Sequence, residues 1–67
     1  MEVFGERVKK ELKEQGKMQK DICEYLHVNK STLSQWLSGV NEPPMYCIVE
    51  IARFLDVTTD YLLGLED

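Results

Sequence analysis

Five hydrogen-bonding side chains, Lys30, Ser31, Thr32, Ser34 and Gln35, fall within six consecutive positions of this 67-residue sequence, interleaved with Leu33 and followed by Trp36. In a helix, Leu33 and Trp36 share one apolar side because they are three apart, and the polar residues run along the other. A helix divided this way suits the major groove of duplex DNA, where each base pair displays a distinct pattern of donors and acceptors. Surfaces that bind proteins favour exposed Trp, Tyr and Arg instead, and the spacing of Trp36 assigns it to a core.

Other chemistries are poorly supplied. Cys23 and His27 are four apart, a spacing that can place two metal ligands on one helical face, but a structural zinc takes four ligands and Cys47 is the one remaining Cys or His. A Ser or Cys nucleophile needs a base, and His27 is the single histidine, so no enzyme is expected and neither a metal nor another cofactor is predicted. Cys23 and Cys47 lie in apolar periodic stretches, which predicts buried, reduced thiols.

The length suits one domain over residues 1–67, because so few side chains cannot build a second core. With 43% hydrophobic and 30% charged residues, the composition is that of a globular domain rather than a disordered chain. No apolar run approaches the roughly 20 residues that span a bilayer, and MEVFGERVKK has no signal-peptide apolar segment, so a cytoplasmic protein is expected. A net charge of −4 runs against DNA binding, which draws on Lys and Arg to displace counterions. Distribution softens the conflict. Arg7, Lys9, Lys10, Lys13, Lys17, Lys20 and Lys30 precede Ser31; after it Arg53 alone faces Glu42, Glu50, Asp56, Asp60, Glu66 and Asp67.

Five helices follow from periodicity and punctuation. Phe4, Val8 and Leu12 form one stripe over residues 2–15, and Gly16 stops it. Ile22, Cys23 and Leu26 mark a second helix ending near His27, with Asp21 favourably placed at its positive end. Asn29 caps a third, closed by Gly39. Pro43 and Pro44 forbid backward continuation of a fourth helix, marked by Ile48, Ile51, Ala52 and Leu55. Thr58 or Thr59 caps a short fifth helix that Gly64 ends. The charges of helix 1 interleave at spacings such as Glu6 to Lys10, which reads as a solvated face, with only the Lys13, Lys17 and Lys20 end approaching DNA.

Two short helices joined by a tight turn depend on their neighbours for stability, and residues 19–38 have this form. QKDICEYLHVNKSTLSQWLSG and IARFLDVTTDYLLG, in that order, resemble the Cro and repressor type of helix-turn-helix domain, over Phe4 to Leu65. The resemblance implies an all-α, five-helix, lambda-repressor-like DNA-binding domain that regulates transcription, most readily as a repressor. It implies that Gln19 contacts phosphate, beside the Lys20 that the charge pattern already brings toward DNA, and that the helix from Lys30 to Ser38 reads the groove through Lys30, Ser31, Thr32, Ser34 and Gln35. Lys30 would donate to guanine and Gln35 would pair bidentately with adenine. Asn41 corresponds to a phosphate-contacting loop position.

The same resemblance implies a homodimer on a pseudo-palindromic operator of double-stranded DNA, with Tyr61, Leu62 and Leu65 as contact residues. Three departures from the pattern carry expectations. His27 replaces a turn glycine and should adopt a positive φ at some cost; Met18 replaces a capping residue, at about 1 kcal/mol; the loop VNEPP lacks Lys and Arg, which predicts a shallow salt dependence. Leu37 has two readings, packed against helix 4 or exposed as a partner surface. The competing function is a protein-binding module of the same fold, such as an anti-repressor or antitoxin-like partner, which the acidic C-terminal half would suit.

Overall fold

The computed structural model describes residues 2–67 and is all-helical, in the five-helix arrangement expected. The helices are α1 (Glu2–Gln15), α2 (Gln19–Leu26), α3 (Lys30–Ser38), α4 (Met45–Leu55) and α5 (Thr59–Leu62). Among the described residues, no helix is long and apolar enough to cross a membrane.

Each helix contributes its apolar side to one cluster. Phe4, Val8 and Leu12 of α1 meet Ile22 and Cys23 of α2, Leu33, Trp36 and Leu37 of α3, the inner side of α4 from Cys47 to Leu55, and Leu62 of α5. α2 and α5 are too short to persist alone, so this burial is what holds them helical. Both cysteines are buried and unpaired, as free thiols.

α1 packs on α3 and α5, while α2 lies against α3 and α4. The α1–α3 approach is set by Gly5: a Cβ there would lie 1.8 Å from the carbonyl oxygen of Leu37. Leu37 is buried, only 4% exposed, and its backbone abuts Gly5 of α1. The exposed-surface reading of Leu37 is therefore corrected, and its neighbour at this contact is α1.

The helix ends follow the expected punctuation with two differences. Asn29 Oδ1 accepts from the Thr32 N–H at 2.8 Å, and Thr58 Oγ1 accepts from the Tyr61 N–H at 3.0 Å. Gly16, Gly39 and Gly64 all take positive φ, and so does His27 at 58°. Asp56 does the same at 56°, closing α4 without a glycine. Met18 has no oxygen to cap α2, but Asp21 Oδ2 accepts from the Met18 N–H at 2.8 Å, which offsets part of the missing cap. The α4 helix begins at Met45, earlier than its apolar pattern, with Pro44 outside as its N-cap.

The end of α1 and the turn after it also secure the far end of the bundle. Gln15 Nε2 donates to the Leu55 carbonyl at 2.8 Å and Lys17 Nζ to that of Phe54 at 3.1 Å, satisfying carbonyls that the last turn of α4 leaves free. Arg7 donates to the carbonyls of Tyr61 and Glu66 and lies 4.6 Å from the centroid of the Tyr61 ring.

Candidate nucleic-acid interface

Burial of Leu33, Trp36 and Leu37 against the rest of the bundle fixes the rotation of α3. Lys30, Ser31, Ser34 and Gln35 consequently lie exposed on its other side, and Thr32 is half-buried at the margin. The Asn29 cap pins the first turn, from which Lys30, Ser31 and Thr32 project.

A cleft of about 450 Å³ opens beside the N-terminal end of α3. Lys9, Lys13, Lys17, Lys20 and Lys30 line it with Gln19 and the apolar Leu12 and Met18. Among the described residues none of these lysines forms an ion pair; the one salt bridge, Arg53 to Glu50, lies elsewhere. Five lysines around one cleft outweigh the single carboxylate of Asp21 at the start of α2, which is spent on the Met18 N–H, so the local charge is positive. Such a cleft attracts phosphate oxygens.

The structure thus brings Gln19, Lys20 and Lys30 together in one cleft, with Lys13 and Lys17 as the sequence suggested for that end of α1. Lys17 is the exception in orientation: its ammonium is held by the Phe54 carbonyl and lies 4.7 Å from the Phe54 ring centroid. Lys9 was missed. Its signal was the four-residue spacing of Lys9 and Lys13, which stacks them on one side of α1, but the glutamates interleaved along that helix, Glu6, Glu11 and Glu14, masked it.

At the other end of α3, Gln35 and Asn41 form a linked pair. Asn41 Nδ2 donates to Gln35 Oε1 at 2.7 Å. The Gln35 carbonyl accepts from the N–H groups of Val40 and Asn41, and Ser38 Oγ donates to it at 3.3 Å. Asn41 is therefore tied to the recognition-type helix rather than held apart in a free loop.

The three residues expected at a dimer contact are placed very differently. Leu62 is 0% exposed and belongs to the core of its own chain. That leaves it no surface to offer a second copy. Tyr61 is half-buried, with its hydroxyl donating to Glu11 at 2.9 Å, whereas Leu65 is 73% exposed. Burial first, and the Glu11 carboxylate second, raise the Tyr61 pKa above its ordinary value. The hydrogen bond to Glu50 does the same for Tyr25, and the neighbouring Cys47 for Tyr46.

Known proteins place this geometry. A family model described as helix-turn-helix matches residues 8–62. The chain is similar to the HTH-type transcriptional regulator ImmR of Bacillus subtilis, 29% identical over 64 residues, covering 96% of this chain and 50% of the relative. It is also similar to an SPbeta prophage-derived uncharacterized HTH-type transcriptional regulator, YonR, of the same organism, 30% identical over 61 residues, covering 91% of this chain and 56% of the relative. The chain therefore spans about half the length of these relatives. No solved structure matches significantly. With most of its length matched by that model, the chain belongs to the helix-turn-helix family.

Proposed function

We propose that this chain is a sequence-specific repressor that reads the major groove with α3, two copies setting their helices about 34 Å apart on a pseudo-palindromic operator. A cytoplasmic location goes with that role. The observation that carries the reading is the continuity of the exposed polar side of α3 with the lysine-lined cleft, which share Lys30. Phosphate held in the cleft would fix the register, leaving Ser31, Thr32, Ser34 and Gln35 to meet base edges. Leu65 is the contact proposed between copies, by its exposure.

Net charge then ceases to be an obstacle. What a phosphate meets is the local field, and the cations converge on this side of the molecule. Four lysines with uncommitted ammonium groups, Lys9, Lys13, Lys20 and Lys30, would give a log–log salt slope of roughly −3 to −4 per copy, shallow for a DNA-binding protein.

Selection from random duplex DNA, followed by fluorescence anisotropy of the enriched sequence at two salt concentrations, tests the proposal. Enrichment of a two-fold symmetric sequence, with roughly twice that slope because two copies bind, is the expected result. No enrichment, with a salt-independent signal and a co-purifying protein, would favour the protein-binding alternative, for which the exposed Val40, Met45 and Tyr46 offer an apolar surface.

A further inference from the structure

We infer that Asn41 is a specificity-determining positioning residue, which turns the Gln35 amide so that its NH2 group, not its carbonyl, faces the groove. The inference rests on the groove reading proposed above for α3. An unconstrained glutamine offers a donor and an acceptor side by side, the match for adenine N7 and N6. Here that acceptor is already engaged: Oε1 takes the Asn41 Nδ2 hydrogen at 2.7 Å. Nε2 makes no hydrogen bond among the described residues, and Gln35 is exposed, so the two amine hydrogens are what it offers.

The loop is built to hold this arrangement. Gly39, at φ 85°, turns the chain back over the end of α3, a conformation open to glycine at little cost. The N–H groups of Val40 and Asn41 then both donate to the Gln35 carbonyl, at 3.0 and 3.3 Å. Backbone and side chain of Asn41 are thus both anchored to the residue whose amide it orients. Two amine donors match the paired acceptors of guanine, O6 and N7, so the structure assigns guanine to Gln35 where an isolated glutamine would take adenine.

Replacing Asn41 by a residue that can only accept reverses the geometry. In Asn41→Asp the carboxylate draws Nε2 toward itself and leaves Oε1 facing the groove, where it matches the amine of adenine or cytosine. The added negative charge weakens binding to every sequence alike and cancels in a ratio of affinities.

The test is site selection with the wild type, Asn41→Ala and Asn41→Asp, with Gln35→Ala locating the base pair concerned, and thermal melts confirming that each variant folds. Expected is a wild-type preference for guanine at that pair, a loss of discrimination there in Asn41→Ala, and a shift toward adenine or cytosine in Asn41→Asp. The shift should be roughly five- to 150-fold, the range for one well-made base contact. Preferences elsewhere in the site stay as they were. Unchanged preference in both Asn41 variants, or a uniform loss across all sequences as from a phosphate contact, overturns the inference and leaves the groove reading intact. A wild type that enriches no sequence removes both.

Discussion

On the inner side of α3, Leu33, Trp36 and Leu37 are 0%, 6% and 4% exposed, whereas Lys30, Ser31, Ser34 and Gln35 on the outer side all lie open to solvent. One nine-residue helix therefore carries two sets of side chains under different constraints. The inner set is fixed by volume: every atom has neighbours, and a change of one methylene is felt throughout the cluster. The outer set has almost no packing role, so its chemistry can vary without cost to folding. Separation of this kind lets one scaffold read different sequences, because specificity and stability depend on different residues.

Truncation on the inner side should have the largest effect. Leu33→Ala removes a fully buried side chain and leaves a void that the short helices cannot close, at about 2–5 kcal/mol in chemical denaturation. Gly5→Ala comes next, at about 1–3 kcal/mol, since its Cβ would meet a backbone oxygen of α3 that cannot rotate away. A melting temperature unchanged by Gly5→Ala would mean that α1 and α3 slide apart freely, and that the inner side is less constrained than its burial implies.

How legible each side was follows from the range of the interactions. Leu33 and Trp36 declare their burial through three-residue spacing, a property of α3 alone. Leu37, four from Leu33, shares that face by spacing, but the close approach that covers it depends on Gly5, thirty-two positions away. Gly5 itself gives no local signal: a glycine inside a helix reads as a weak point, and only the opposing Leu37 carbonyl supplies its purpose. Asp56 likewise takes a left-handed conformation where no glycine advertised a helix end, although Asp tolerates that region better than most residues. Among the site residues, Gln19 and Lys30 were expected from the family resemblance and Lys20 from the charge pattern, but that they share one cleft was not legible, because the cleft forms between separate helices. Nor was the Gln35–Asn41 pair, because it forms across the turn at Gly39.

The outer side should respond in the opposite way. Lys20→Ala removes an exposed ammonium from the cleft and should leave stability within about 0.5 kcal/mol. Affinity for all DNA sequences should fall together, and the salt slope should shrink by about one. A change in the selected sequence instead would place Lys20 on a base edge and blur the division between positioning and reading residues.

Asn29 is where the two sides meet, and its substitution should cost less stability than either change on the inner side. Its side chain packs in neither set, but its Oδ1 takes the Thr32 N–H and so holds the first turn of α3. Asn29→Ala should cost about 1 kcal/mol, the usual worth of an N-cap, while Asn29→Ser, which can still accept that hydrogen, should cost only a fraction of it. The turn that frays carries Lys30, Ser31 and Thr32, so binding should weaken by more than the stability loss alone would produce at a temperature where the protein remains folded. Anisotropy alongside denaturation distinguishes the cases. If Asn29→Ala lowers stability and leaves affinity untouched, the first turn of α3 does not touch DNA, and the reading surface has to be moved toward Ser34, Gln35 and Asn41.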